Sequence, residues 1–168
     1  MSEADKHMVV VLMGVCGCGK TTIGEVLAEE LEWPLYDGDD FHPEANVEKM
    51  HRGIPLNDED RLPWLQVLAD AMGQCLARGE SALFACSALK QNYRDILVGG
   101  RDQIRIVHLQ GKKELIQQRL AIRQHRYMPA SLLDSQFATL EAPRDAVVVD
   151  IAPEPAAIAR QIREQLGI

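Results

Sequence analysis

Apolar positions along the chain fall into short continuous runs that alternate with stripes at helical spacing. Residues 8–13 form an unbroken apolar, valine-rich run of the kind that makes a strand buried on both faces. A glycine-rich interval follows, and then Ile23, Val26, Leu27 and Leu31 recur at spacings of three and four, predicting a helix over about 20–31. Residues 33–36 predict a short strand ending in Asp37-Gly38-Asp39-Asp40, and a helix over 44–51 is bounded by Pro43 and Gly53. In 54–65 the acids and Pro63 mark a further helix start, because proline at the first helical position forfeits no needed N–H. Leu65, Leu68, Met72 and Leu76 carry that helix to Gly79. Residues 82–86 read as a third strand, with Ser87-Ala88-Leu89-Lys90 opening the next helix. Residues 104–109 are a fourth strand, 112–124 an arginine-bearing helix, 130–140 a shorter helix and 146–150 a fifth strand. After Pro153 and Pro155, Ile158, Ile162 and Leu166 share one face of a closing helix. Strands alternating with helices imply parallel βαβ units and a three-layer α/β sandwich, read here as a single domain over residues 1–168.

The glycine-rich interval is the most informative stretch. Gly14-Val15-Cys16-Gly17-Cys18-Gly19-Lys20-Thr21 fits G-x-x-x-x-G-K-[ST], and it sits between a predicted strand and a predicted helix, the context this motif requires. Glycines let the backbone come close to a ligand, so that successive N–H groups form a nest for phosphate oxygens at the positive end of the following helix. Residues 14–22, including Val15, Cys16, Cys18 and Thr22, are therefore the expected triphosphate cradle. Lys20 is expected to reach the β- and γ-phosphates, and the Thr21 hydroxyl to hold Mg²⁺.

Composition narrows the partners. Hydrophobic residues at 46% and charged residues at 26% are ordinary globular values, and no run approaches the length of a membrane span. The acidic first residues do not read as a signal peptide, and the four cysteines do not read as a disulfide framework, so a cytoplasmic protein is expected. The net charge is −7, yet residues 86–126 hold nine Lys/Arg against three Asp/Glu, leaving −13 for the remainder. A basic segment in an acidic chain suits small anions and disfavours nucleic acid.

Asp37 and Asp39 lie just past the second strand, at the carboxyl edge where parallel sheets bind ligands. Alternate residues of an extended tip point the same way, so one carboxylate could orient a metal-bound water while the other accepts a proton from an attacking hydroxyl. Arg119 and Arg123 are four apart on a predicted helix, with Arg126 a turn beyond, and planar guanidinium groups suit a triphosphate. Lys90 and Arg94 repeat that spacing and could take a substrate carboxylate. His42 adjoins the carboxylate turn and is a candidate substrate contact. Cys16 and Cys18, at a helix N-terminus beside Lys20, are expected to have lowered thiol pKa values, whereas a direct bond between them would be strained.

Four stretches besides the phosphate loop carry a resemblance. They are Asp37-Gly38-Asp39-Asp40-Phe41-His42-Pro43, residues 53–65, residues 86–95 and Ser135-Gln136-Phe137-Ala138-Thr139-Leu140-Glu141. Together the chain resembles the gluconokinases, small P-loop kinases related to shikimate and nucleoside-monophosphate kinases. The resemblance implies ATP-dependent, Mg²⁺-assisted phosphorylation of D-gluconate at its terminal hydroxyl, giving 6-phosphogluconate. It implies a five-stranded parallel sheet in the order 2-3-1-4-5 and a helical lid over roughly 112–133 bearing Arg119 and Arg123. It also implies Asp39 as base, Asp37 as the metal-side carboxylate acting through water, catalytic roles for Lys20 and Arg123, and gluconate contacts from Lys49, Arg61, Lys90 and Arg94. Kinases of this kind are often homodimers. The chain departs from the family where Cys16 and Cys18 replace common serines and where Gln124-His125-Arg126-Tyr127 follows Arg123. The rivals are another small-acid kinase, such as a shikimate kinase, and a P-loop regulatory switch. No Asn-Lys-x-Asp motif supports the switch, and strand three ends in Ser87-Ala88-Leu89-Lys90 rather than Asp-x-x-Gly.

Overall fold

The computed structural model of the chain describes residues 7–122 and 130–168. Five parallel strands, β1 (Val9–Met13), β2 (Leu35–Asp37), β3 (Ala82–Ala85), β4 (Ile104–Gln110) and β5 (Val147–Asp150), pair in the order β2-β3-β1-β4-β5. β1 is central, with Val11 level with Phe84 on one side and Ile106 on the other, which is why its whole run is apolar and fully buried. The expected order of strands is the observed one.

Because side chains alternate along a strand, β1 feeds two cores. Val10 and Leu12 pack with Ile23 and Leu27 of α1 (Lys20–Leu31) and with Ile158 and Ile162 of α7 (Pro155–Leu166). Val9, Val11 and Met13 pack with Leu65, Leu68 and Met72 of α3 (Asp58–Ala77) and with Leu97 of α4 (Gln91–Val98). Helices therefore cover both faces of the sheet, as expected. α2 (Glu44–His51) precedes α3, while α5 (Lys113–Ile122) and α6 (Ala130–Thr139) follow β4. Among the described residues no helix is long and apolar enough to cross a membrane.

Two helix starts differ from the sequence expectation, each for a local reason. α3 begins five residues before Pro63, at Asp58, because Asn57 and Asp60 form a reciprocal capping box. Those side chains satisfy N–H groups the first turn leaves open, and Pro63, in the second turn, does not prevent the helix from forming. α4 begins at Gln91, and Ser87-Ala88-Leu89-Lys90 is not helical. The carbonyls of that segment are committed elsewhere: Ser87 accepts from the Gly14 N–H, Ala88 from Arg94 and Leu89 from the Glu141 N–H.

Candidate active site

The phosphate loop leaves the carboxyl end of β1 and enters α1 at Gly19, as the motif predicts. Gly14 has φ +153°, and a Cβ there would lie 2.7 Å from Cys18 Sγ and 2.9 Å from the Leu109 carbonyl. Gly17, at φ +86°, would press a Cβ into Leu120 of α5 at 2.8 Å. Lys20 Nζ donates to the Gly14 and Val15 carbonyls at 2.9 and 3.2 Å, so the lysine rests on its own loop. Val15 is buried in the core and offers the site only its backbone, whereas Thr21 and Thr22 are exposed at the first turn of α1. Cys16 offers its N–H to Gln136 Oε1 of α6 at 2.6 Å, a contact across 120 residues.

Cys18 differs from expectation. Cys18 is buried, and desolvation pushes its thiol pKa up despite the opposing charge of Lys20. The helix end and the lysine are present, but the side chain points into the protein against Gly14. All four cysteines are unbridged.

Arg119 of α5 donates to the Ile151 carbonyl at 2.6 Å. Beside the loop, Gly17, Gly19 and Thr22 share a cavity of about 300 Å³ with Arg119, Pro153 and Ile158. Arg123, the second expected lid arginine, lies outside the described residues, as do His125 and Arg126.

The second wall is the turn after β2. Gly38–Phe41 is a 3₁₀ turn rather than an extended tip, and Asp37 Oδ1 caps it by accepting from the Asp39 N–H at 2.9 Å. Both carboxylates are exposed. The turn is anchored from below, where Trp64 Nε1 donates to the Gly38 carbonyl at 2.7 Å, and a Cβ on Gly38 would strike the Ala85 carbonyl at 2.9 Å. Cys86, at the end of β3, feels the charges of Lys20, Asp39 and Asp37 together, so loop and carboxylate turn converge on it. Burial pushes the Cys86 thiol up to about 12, which makes it an inert floor.

The third part is a cluster of cations tied to acids. Lys49 of α2 pairs with Asp60 at 2.8 Å, and Lys90 pairs with Asp58 at 3.0 Å. Tyr93 donates its hydroxyl to Asp58 and accepts from Arg61 at 3.2 Å, and Lys90 Nζ lies 5.5 Å from the Tyr93 ring centre. The Tyr93 hydrogen bond, then Lys90, hold the Asp58 carboxyl below the usual carboxylate range; Lys49 does most of the same for Asp60. Asp58 in turn raises Lys90. Three cations against two carboxylates leave one positive charge. Sequence reasoning singled out Lys49, Arg61 and Lys90 but missed Asp58, Asp60, Tyr93 and Gln136, whose partners are distant in the chain.

Two expected substrate contacts have side chains that are buried and engaged within the protein. Arg94 is 1% exposed, and its guanidinium donates to the Ala88 and Glu141 carbonyls, both at 2.7 Å, and to Gln91 at 3.0 Å. Burial lowers its pKa, and its donors serve to hold the 86–90 segment and the chain after α6. Lys90 is the N-cap of α4 and not helical, so the four-residue spacing does not place the pair on one face. The His42 side chain is 4% exposed and stacks on Trp64 with centroids 4.3 Å apart.

A family profile described as an AAA domain matches residues 9–154. The chain is 46% identical over 153 residues to a probable gluconokinase of Rattus norvegicus, covering 80% of this chain and 83% of that one. It is 44% identical over 158 residues to the thermosensitive gluconokinase of Escherichia coli (strain K12), covering 92% and 84%. A crystal structure of a gluconokinase from Sinorhizobium meliloti 1021 superimposes with a TM-score of 0.82 at 41% identity, covering 95% of this chain and 91% of that one. On a P-loop facing a carboxylate turn and a basic cluster, with identity of this extent across nearly the whole length, the chain belongs to the gluconokinase family of P-loop kinases.

Proposed function

We propose that the protein transfers the γ-phosphoryl group of ATP to the terminal hydroxyl of D-gluconate, yielding 6-phospho-D-gluconate and ADP. The observation that carries this reading is the extended identity to gluconokinases, supported by a site that offers a phosphate loop, an exposed carboxylate pair and a net-positive cluster. In this reading residues 14–22 hold the phosphates, and Lys20 leaves the Gly14 and Val15 carbonyls for the β- and γ-phosphates. The cavity flanked by Arg119, Pro153 and Ile158 takes the nucleoside. Lys49, Arg61 and Lys90 meet the gluconate carboxylate, a monoanion that matches the single excess charge of their cluster.

Asp39 accepts the proton of the terminal hydroxyl as its oxygen bonds to the γ-phosphorus and the bond to the bridging β–γ oxygen breaks, leaving ADP. Thr21, at the start of α1, and Asp37, at the end of β2, are exposed oxygen donors. They fit Mg²⁺, which keeps several waters and takes few protein ligands, with Asp37 acting through water. Held there, Mg²⁺ would supply charge neutralisation for the phosphates. Arg123 and a lid over 112–133 complete the proposed machinery, in a single cytoplasmic domain.

The test is a coupled assay with Mg·ATP and a panel of gluconate, shikimate and nucleoside monophosphates. Gluconate is expected to be turned over and the others left largely untouched. Equal turnover of shikimate, or none of gluconate, refutes the reading.

A further inference from the structure

His42 was expected to touch substrate, yet its ring is buried beside an exposed carboxylate. The geometry assigns it a different part, in which the hydrogen-bond network fixes its tautomer. We propose that His42 is a positioning residue for Asp39, locked with its proton on Nε2 by Asn46 and held in plane by Trp64. The proposal rests on the reading of Asp39 as the base.

The amide oxygen and nitrogen of Asn46 could be interchanged on shape alone. Asn46 is buried, and its Nδ2 lies 2.8 Å from the Asp60 main-chain carbonyl. A carbonyl only accepts, so the atom facing it must be the NH₂ nitrogen. That same nitrogen lies 3.2 Å from His42 Nδ1 and has a second hydrogen to give. Nδ1 therefore accepts through its lone pair. A neutral imidazole has one N–H, and it must be on Nε2. Nε2 is the atom that faces Asp39, 3.7 Å from Oδ1.

The ring plane is fixed independently. His42 stacks on Trp64 with an interplanar angle of 16°, and Trp64 is itself held by its hydrogen bond to the Gly38 carbonyl. Gly38 lies between Asp37 and Asp39, so the clamp that orients the ring is attached to the turn that bears the carboxylate. The Asp39 side chain is 82% exposed against 4% for His42, so the carboxylate can reach a substrate hydroxyl and the ring cannot. An N–H directed at one carboxylate oxygen restricts the rotation of a side chain on an exposed turn. At 3.7 Å the contact is longer than a formed hydrogen bond, as catalytic contacts often are before substrate tightens them. Asp60 joins this device to the cation cluster, since its carbonyl holds Asn46 while its carboxylate holds Lys49.

The test uses the full chain with ¹⁵N-labelled histidine. Long-range ¹H–¹⁵N correlations, with His42 assigned by its loss in His42→Gln, are expected to show His42 protonated at Nε2 and unprotonated at Nδ1. In steady state, His42→Leu is expected to lose up to about 10²-fold in kcat, the scale of a misplaced reacting group, with KM for gluconate and for ATP held within about twofold. His42→Gln, whose Nε2 presents an N–H at a similar reach, is expected to recover part of that loss. An Nδ1–H tautomer in the wild type overturns the proposal. So does a rise in KM for gluconate at unchanged kcat in His42→Leu, which would make the ring a substrate contact. Unchanged kinetics in both variants, or equal losses in the two, also overturn it. Near-normal turnover by Asp39→Asn would remove the reading of Asp39 as base, whereas the tautomer measurement reports on the Asn46–His42 lock regardless.

Discussion

Replacing Arg94 by Met separates a structural from a substrate role at a residue whose sequence context suggested the latter. Methionine fills a similar volume but gives none of the hydrogen bonds that Arg94 directs to the Ala88 and Glu141 carbonyls. Each backbone acceptor deprived of a charged donor costs about 1.5–3 kcal/mol, so the gross loss is about 3–6 kcal/mol. Against this, a cation that burial already disfavours no longer has to be desolvated, which returns part of the cost. A net destabilisation of about 2–4 kcal/mol follows, which at about 2–4 °C per kcal/mol corresponds to a fall in Tm of about 4–16 °C. The assay pairs a urea or thermal unfolding curve with gluconate kinetics at a temperature where the variant is folded. KM for gluconate is expected to stay within about threefold of wild type, since no bond to substrate has been removed. A KM raised tenfold or more, with an unchanged unfolding midpoint, would refute the reasoning and restore Arg94 to the substrate site.

Lys90→Met is expected to raise KM for gluconate about 10- to 100-fold, as loss of a charge-assisted bond should, and adding Asp58→Asn should recover part of it by removing the carboxylate left without its cation; a purely additive double variant would contradict that pairing. Asp39→Asn is expected to lower kcat by ~10²–10⁴ while leaving ATP affinity intact, and the reverse pattern between Asp39→Asn and Asp37→Asn would show that the two carboxylates have been assigned the wrong way round. Asp58 and Asp60 have folded-state pKa values below their unfolded ones, so their stabilisation is complete above the ordinary carboxylate range and is lost as pH falls through the folded values. Urea midpoints should therefore drop below about pH 4, and the slope should flatten in Asp58→Asn/Asp60→Asn. Cys18, buried and with a raised pKa, is expected to resist thiol reagents in the native state, and rapid labelling at that position would show that the loop opens further than this structure indicates.

The parts of this structure that are local in sequence were legible in it. The β1 run, the glycine spacing and the stripe of α1 are neighbours in the chain, and their pattern follows from strand, turn and helix geometry without reference to anything distant. The strand order followed from the family resemblance, because nothing in a single strand states which strand lies beside it. What escaped sequence reading are pairings set by the packing of separate elements. Lys90 meets Asp58 only because α3 and α4 lie side by side, and Gln136 reaches the Cys16 N–H only because α6 comes back to the loop. The start of α4 was misplaced for a related reason: helical spacing cannot reveal that the carbonyls of Ser87, Ala88 and Leu89 are already taken by Gly14, Arg94 and Glu141. The same oversight put Arg94 beside Lys90. Asn57 was within reach, since Asn57 followed by Asp60 is a capping pattern that outweighs Pro63.

Five donors of the site, among the described residues, share a common condition, in that each already has a partner before any ligand arrives. Lys20 lies on loop carbonyls, Arg119 on the Ile151 carbonyl, Lys49 on Asp60, Lys90 on Asp58, and the Cys16 N–H on Gln136. In the proposed reaction, binding is then an exchange of partners, and the gain from each contact is the difference between two interactions rather than the whole of one. Such a site discriminates by charge more than by polarity. A phosphate or carboxylate oxygen can displace a carbonyl or share a cation with Asp58, whereas a neutral sugar hydroxyl competes poorly with either. Lys20, Arg119 and the Cys16 N–H hold weaker neutral acceptors on the nucleotide side, while Lys49 and Lys90 hold carboxylates on the other side. Nucleotide therefore displaces the more readily lost partners. The acceptor acid must satisfy a cluster that carries a single excess positive charge until it binds, which favours a monoanion over a dianion as the second substrate.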